Sequence, residues 1–132
     1  ERKVSDIHKR LELVEAEQNC ILVSIHQNYF TQSRYSGAQI FYSSNHEDSA
    51  LIAESIRTSI VSMLQPENTR ENKEATDSIY LLWNTKAPAV LVECGFLSNE
   101  AEAALLEEEA YQEQMAFCIY DGLTRWLSEN GR

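Results

Sequence analysis

Residues 89–93 read AVLVE, an uninterrupted apolar run that ends in a carboxylate, and this stretch decides the fold class. A second apolar run, residues 20–25, is followed directly by His26. Neither run alternates apolar with polar residues, which is typical of strands buried on both faces in a parallel sheet. Because ligands of such sheets bind beyond the carboxyl ends of the strands, we expect His26 and Glu93 to meet in one crevice if the two strands are parallel neighbours.

Helical and strand patterns alternate along the rest of the chain. Apolar spacings of three and four predict a first helix over residues 5–18 and a last helix from Tyr111 to Trp126. A second helix is predicted between a Ser44/Glu47 capping pair and Pro66, with Ile52, Ile56, Ile60 and Met63 facing inward. A third, short helix is predicted from an Asn99 N-cap to Leu106. Further strands are predicted at residues 38–42, 79–83 and 89–92, and an irregular loop at 66–78. The sequence therefore predicts an α/β domain with a mostly parallel sheet and flanking helices.

Composition excludes some classes of function. The chain has 132 residues, enough for one domain, and a formal net charge of −10. A nucleic-acid binder needs clustered Lys and Arg, so we expect no nucleic-acid partner. Neither a signal peptide nor an apolar run long enough to span a bilayer is visible in the sequence.

Two motifs carry side chains that could bind a metal or act as a general base. The first is SIHQN at residues 24–28, where a neutral imidazole at a strand end could bind zinc or could instead bond to backbone at the end of the strand. The second is VECGFLSN at residues 92–99. Apolar neighbours tend to raise the pKa of a carboxyl such as Glu93 toward the range useful for a general base, but a structural ion pair with Lys or Arg is an equally open reading.

The order and spacing of four blocks carry a resemblance to a known family. These blocks are SIHQN (24–28), GAQIFYSS (37–44), NTKAPAVLVECGFLSNEAEAALL (84–106) and YQEQMAFCIYDGL (111–123). Together they resemble the zinc-dependent N-acetylmuramoyl-L-alanine amidases, which cut peptidoglycan between muramic acid and L-alanine. Within this family, SIHQN and the Tyr-Leu-Leu segment are similar to the CwlD-type amidases of spore cortex and germination.

The resemblance implies a zinc cofactor, a peptidoglycan substrate and roles for individual residues. His26 matches a zinc ligand and Glu93 the catalytic glutamate, which would take a proton from a zinc-activated water. Four further positions match residues that shape the cleft or bind substrate: Asn28, Gly37, Ala38 and Arg70. A wall hydrolase works outside the cytoplasm, so a secreted or cell-envelope location of the parent protein is also implied.

The chain departs from the family pattern at its start. The family's other two zinc ligands, a histidine in a Gly-rich segment and a glutamate at the start of the first helix, would precede Glu1. We therefore expect residues 1–132 to be the C-terminal portion of one amidase-type three-layer catalytic domain that lacks its first strand–helix–strand portion. Exposed sheet edges would then lower stability, or be covered by strand exchange between copies, by an activating protein partner or by the missing segment.

Other residues and functions compete with this interpretation. His8 and Glu12 have the spacing of a helical ligand pair, but nothing brings them near His26. His46 fits a surface or capping role, and residues 107–109 fit a solvated face. One alternative function is a catalytically incomplete fragment or a non-catalytic interaction module, which predicts no metal and no hydrolysis. Another is a thiol hydrolase with Cys94 as nucleophile, which the neighbouring carboxylate and the alternation of a strand both disfavour.

Overall fold

Helices and strands alternate along the chain. The computed structural model describes the backbone of residues 2–132 and the side chains from Val4 onward. The elements in chain order are α1 (Arg2–Ala16), β1 (Leu22–Asn28), β2 (Gln39–Tyr42), α2 (Asp48–Met63), β3 (Lys73–Glu74), α3 (Tyr80–Asn84), β4 (Ala89–Phe96), α4 (Glu100–Glu107) and α5 (Glu109–Glu129). None of the described helices is long and apolar enough to cross a membrane.

The four strands form one sheet in the order β1-β4-β2-β3. Strand β1 runs parallel to β4, and β2 runs parallel to β3, whereas β2 and β4 are antiparallel. The predicted α/β class is confirmed, and two of the three strand pairings are parallel as expected. The antiparallel β2–β4 pair was not expected, because a four-residue strand has too few residues for its pattern to indicate direction.

The main core lies on the face of the sheet that α2 and α5 cover. Alternate residues of a strand face opposite sides, and Val90, Val92 and Cys94 of β4 point into this core. Helix α2 contributes Ile52, Ile56 and Ile60, and α5 contributes residues that include Tyr111, Met115, Cys118, Ile119 and Trp126. The predicted inward faces of both helices are therefore confirmed, except that Met63 at the end of α2 is 46% exposed.

The opposite face of the sheet is covered only in part. A smaller core of Ala75, Leu82 and Ala89 lies there, with Leu22 and Leu91 packed against it. Helix α1 lies beyond α3, where the His8 and Tyr80 rings stack with centroids 5.0 Å apart. These apolar contacts cover the half of the face where β1 and β4 begin. The half where β1 and β4 end carries a mixture of polar and aromatic side chains, and it forms the candidate site.

Strand β1 was expected to be buried on both faces, and this prediction was wrong. Within the described residues β1 pairs with β4 alone, so it forms an edge of the sheet. Ile25 is 57% exposed and His26 and Gln27 are also exposed. An apolar run indicates a strand but does not tell a central strand from one at the edge.

The predicted strand at residues 79–83 is a helix. Helix α3 covers Tyr80–Asn84, with Leu82 fully buried and Trp83 50% exposed. A five-residue apolar run cannot be assigned by periodicity alone. The leucines favour a helix, and Ile79 and Leu82, three residues apart, turn to the same small core.

Two local predictions around α2 were also wrong, and a third at α4 is confirmed. Glu47 is the N-cap residue of α2, but its side chain makes no capping hydrogen bond. The backbone N–H of Asp48 instead donates to His46 Nδ1 at 3.1 Å, which agrees with the capping alternative for His46. Residues 66–78 are not wholly irregular, because they contain β3. Asn99 does cap α4, and its side-chain oxygen accepts the N–H of Glu102 at 3.0 Å.

Candidate active site

The ends of two parallel strands bring His26 and Glu93 side by side. In the register of β1 and β4, His26 pairs with Glu93. Side chains that pair in a parallel ladder lie on the same face of the sheet, and neighbouring strands are about 4.8 Å apart. The register therefore confirms that an imidazole and a carboxylate lie side by side on one face of the sheet, whereas their meeting in one crevice and their chemical roles stay predictions.

The imidazole of His26 is exposed, and a hydrogen bond to another residue of β1 orients its ring. Its Nε2 lies 2.8 Å from Oγ of Ser24, which sits two residues earlier on the same face. Among the described residues Nδ1 of His26 has no hydrogen-bond partner. A hydroxyl on one ring nitrogen fixes the orientation of the ring and leaves the other nitrogen open to a ligand.

Glu93 is a half-buried carboxylate with an unused oxygen. Burial raises its pKa, while the positive charges of Lys73 and Arg70 act in the opposite direction. Its Oε2 is buried and has no hydrogen-bond partner among the described residues. No ion pair within 4.0 Å forms between Glu93 and a described cation. A poorly solvated carboxyl with free acceptor capacity is suited to taking up a proton.

A cleft of about 280 Å³ lies on this face of the sheet, where β1 and β4 end. Eight residues line the cleft: Asn28, Phe30, Tyr35, Gln39, Phe41, Arg70, Lys73 and Phe96. Gln39 stands directly opposite Glu93 in the antiparallel register of β2 and β4. Its amide donates to the carbonyl of Glu71 at 2.7 Å, so the buried Gln39 side chain fixes the segment that carries both cleft cations.

Two of the predicted substrate residues lie in the cleft. The guanidinium of Arg70 stacks 4.7 Å from the ring centre of Phe96 and 5.7 Å from that of Tyr35. Nε of Arg70 also donates to the carbonyl of Ser36 at 2.8 Å. Asn28 ends β1 beside Phe96, and its side-chain oxygen accepts the N–H of Tyr29 at 2.8 Å.

The other two predicted substrate residues do not line the cleft. Gly37 has φ +93°, which a glycine adopts readily, and its N–H donates to both carboxylate oxygens of Glu102 at 2.9 Å. It borders a separate depression that Arg70 also lines. Ala38 is 6% exposed and belongs to the main core on the opposite face. Direct contact of Ala38 with a substrate therefore has no geometric support.

Sequence reasoning missed several cleft residues. Gln39 is the single polar residue within the strand-forming run at 38–42, and this contrast could have indicated a buried functional side chain. Lys73 lies in the two-residue strand β3 and Tyr35 in the loop between β1 and β2. Neither segment is long enough or regular enough for a periodicity to show which way a side chain points. Their position in the cleft depends on the pairing of β3 with β2 and on the path of the loop between β1 and β2.

Comparison with known proteins identifies the family. The sequence profile of the N-acetylmuramoyl-L-alanine amidases matches residues 2–125. The chain belongs to this family. It is 35% identical over 130 residues to the germination-specific N-acetylmuramoyl-L-alanine amidase of Bacillus subtilis strain 168, an alignment that covers 98% of this chain and 54% of the relative.

Solved amidase structures share the fold. The CwlD amidase from Clostridioides difficile, determined in complex with the GerS lipoprotein, is 43% identical with a TM-score of 0.88, over 92% of this chain and 61% of that one. An N-acetylmuramoyl-L-alanine amidase from Clostridium difficile 630 is 28% identical with a TM-score of 0.84, over 92% and 65% of the two chains. The likeness to CwlD-type amidases is thereby confirmed, and the chain spans less than two thirds of the length of each of these relatives.

The described residues of this amidase-family chain fit part of a zinc site. His26 offers an imidazole nitrogen, an atom type that binds zinc. A zinc site in a protein needs at least three protein ligands. The described residues contain no group of three or more His, Cys, Asp or Glu side chains that could hold a metal. His8 and Glu12 border a depression on α1, away from the cleft.

The structure contradicts the thiol-hydrolase alternative. Cys94 is buried in the main core, on the face of the sheet opposite Glu93. Burial raises the pKa of its thiol to about 11. A thiol that is protonated at neutral pH and turned away from the cleft cannot serve as the nucleophile there.

Proposed function

We propose that this chain carries the catalytic glutamate and one zinc ligand of an N-acetylmuramoyl-L-alanine amidase. The reaction is hydrolysis of the amide bond between N-acetylmuramic acid and the L-alanine of the stem peptide in peptidoglycan. The observation that supports this most is the register pairing of His26 with the half-buried Glu93, which in turn lies opposite the cleft residue Gln39. Membership of the amidase family supports this choice of bond.

Residues 1–132 are proposed to form the C-terminal portion of a single catalytic domain. The family match extends over residues 2–125, and the alignment with the Bacillus subtilis germination amidase covers 54% of that relative. His26 would be this portion's ligand to zinc. A bound zinc supplies Lewis-acid polarisation of the scissile carbonyl and lowers the pKa of a bound water.

The residues of the chain itself would bind, orient and move a proton. Glu93 accepts a proton from the attacking water on its unpartnered carboxylate and delivers it to the leaving nitrogen of L-alanine. The water oxygen bonds to the carbonyl carbon as the carbon–nitrogen bond breaks, so the products are a free carboxylate on the sugar side and a free amine on the peptide. Asn28 and Arg70 would hold the substrate in the cleft.

Partners and location follow from the relatives and are proposed on that basis. The CwlD amidase of Clostridioides difficile was solved in complex with the GerS lipoprotein. By analogy, the amidase that contains this chain would bind an activating protein partner. Its substrate lies in the cell envelope, so the protein would act outside the cytoplasm, in the spore cortex or the vegetative wall.

Replacement of Glu93 and of His26 tests the proposed function. With the protein as the cell produces it, Glu93→Gln should lower the rate of peptidoglycan hydrolysis by about 100-fold or more and leave bound zinc unchanged. His26→Ala should lower both the rate and the zinc content. The matched control is Glu74→Gln, because Glu74 is exposed on the short strand β3 and faces away from the cleft.

Either of two results would overturn this assignment. The first is a Glu93→Gln protein that hydrolyses peptidoglycan at the unmodified rate, which would show that the proton is taken elsewhere. The second is a His26→Ala protein with full zinc content, which would remove His26 from the metal site.

A further inference from the structure

The cleft concentrates positive charge in an otherwise acidic protein. The chain carries 21 acidic and 11 basic residues. Even so, the residues that line the cleft include two cations, Arg70 and Lys73, and no carboxylate. Surface cations are usually distributed to offset nearby acids, so two cations in one cleft indicate an anionic ligand.

Neither cation is neutralised by the protein. Within the described residues, no carboxylate lies within 4.0 Å of Arg70 or Lys73. The acids nearest in sequence have other surroundings. Glu74 follows Lys73 in β3 and therefore faces the other side of the sheet. Glu71 is close enough to Arg57 for its charge to raise the pKa of that guanidinium.

The guanidinium of Arg70 is fixed in an orientation that suits binding of a planar anion. Its guanidinium stacks on the rings of Phe96 and Tyr35, and its Nε is bound to the carbonyl of Ser36. Its two terminal nitrogens have no hydrogen-bond partner among the described residues. A guanidinium fixed by stacking loses little freedom when it binds a carboxylate through two parallel hydrogen bonds. Lys73, exposed on the neighbouring strand β3, adds a mobile second charge.

This inference rests on the proposed function, because the peptide part of the proposed substrate contains the anionic group that the two cations would bind. A peptide whose amino end is locked in the scissile amide has no terminal ammonium group, so a carboxylate is the ionised terminal group that such a peptide can offer. We propose that Arg70 and Lys73 form a carboxylate-binding subsite that anchors the acidic peptide part of the substrate. Phe30 and Phe41 give the same cleft an apolar wall for the aliphatic part of the peptide.

A binding experiment tests the subsite separately from hydrolysis. The probes are N-acetyl-L-alanyl-glutamate, with both carboxylates free, and its uncharged counterpart N-acetyl-L-alanyl-glutamine amide. Their dissociation constants are measured by NMR titration of the unmodified protein at low salt. We expect the acid to bind about tenfold more tightly than the amide, because a charged hydrogen bond is stronger than a neutral one. The preference should shrink as salt is added.

Substitutions of the two cations test whether they cause the preference for the acid probe over the amide probe. Lys73→Met and Arg70→Met should each remove most of the preference for the acid, whereas Lys73→Arg should keep it. Lys9→Met is the matched control, because it makes the same change on the exposed surface of α1 and should leave the preference intact. Circular dichroism checks folding, and if Arg70→Met does not fold, the two Lys73 variants still decide the result.

Three results would overturn the subsite: equal affinity for both probes, no binding of either probe, or an equal loss in Lys9→Met. None of them depends on amide cleavage. An amidase without acid preference would refute the subsite alone, and acid preference without hydrolysis would refute the proposed function alone.

Discussion

At the scale of single residues, Glu102 joins the segments around the cleft. Its buried carboxylate accepts the N–H groups of Gly37, before β2, and of Phe96, at the end of β4. Gly95 allows this approach, because a β-carbon there would lie 2.6 Å from Oε1 of Glu102. One side chain on α4 thus fixes the loop between β1 and β2 against the strand that carries Glu93.

Removal of this carboxylate should destabilise the fold. Glu102→Ala leaves two N–H groups without their acceptor, so we expect the free energy of unfolding to fall by about 2–4 kcal/mol. Denaturant unfolding measures this change. Glu100→Ala, in the same turn but exposed, should cost less than about 1 kcal/mol. Equal effects of the two variants would contradict a specific role for Glu102.

The reactivity of Cys94 gives a second test at this scale. Because the thiol is buried and its pKa is raised to about 11, iodoacetamide at pH 8 should leave Cys94 unmodified in the folded protein and modify it after denaturation. Peptide mass mapping measures this, with the half-exposed Cys20 as an internal reference. Rapid labelling of Cys94 that stops hydrolysis would revive a thiol mechanism.

Residue types in short motifs predicted part of the site. His26 and Glu93 were found because each directly follows an apolar run, and strand ends of parallel neighbours meet at one edge of a sheet. Lys73 and Tyr35 could not be found this way, because their segments have no period. Ala38 was assigned to the cleft by likeness alone, and the alternation of β2 turns it into the main core.

At the scale of elements, α2 and α5 are packed closely at Gly122. A β-carbon at this position would lie 2.5 Å from Cα of Ile56 and 2.8 Å from its backbone nitrogen. The Oγ of Ser55 also donates to the carbonyl of Gly122 at 2.6 Å. Backbone atoms cannot move aside as the end of a side chain can, so the two helices would have to separate.

Gly122→Ala should therefore be destabilising although alanine favours helices. The gain in helix propensity is up to about 1 kcal/mol, and overpacking a core costs about 1–3 kcal/mol or more. With a contact as short as this one, we expect a net loss of about 2 kcal/mol in the free energy of unfolding. Gln114→Ala on the exposed face of α5 is the control, and a more stable Gly122→Ala protein would contradict the packing.

The long elements could be predicted from sequence and the short ones could not. Helices α2 and α5 repeat their apolar spacing over several turns, which fixes both their type and their inner face. Helix α3 has five residues and β3 has two, too few for any period to appear. The capping pair at the start of α2 was mispredicted, because capping-box spacing in the sequence does not require the Ser44 and Glu47 side chains to form the hydrogen bonds. The His46 side chain accepts the N–H of Asp48 there instead.

At the scale of the whole molecule, the pairing of strands in the sheet brings the site residues together from separate parts of the sequence. The strand order β1-β4-β2-β3 puts the ends of β1 and β4 together and sets Gln39 and Lys73 beside them. Fold class followed from runs of apolar residues, whereas strand order and register depend on long-range pairing that local patterns do not record. Within the described residues, β1 has a strand partner on one side only.

The bond that is cut tests the assignment most directly. Purified peptidoglycan is incubated with the protein as the cell produces it, in the presence of zinc, and the released peptides are identified by mass spectrometry. An N-acetylmuramoyl-L-alanine amidase releases stem peptides that begin with a free L-alanine amine and leaves glycan strands with unsubstituted muramic acid, and this is the result we predict. Release of peptides still joined to muramic acid, cleavage within the peptide, or no release at all would contradict it.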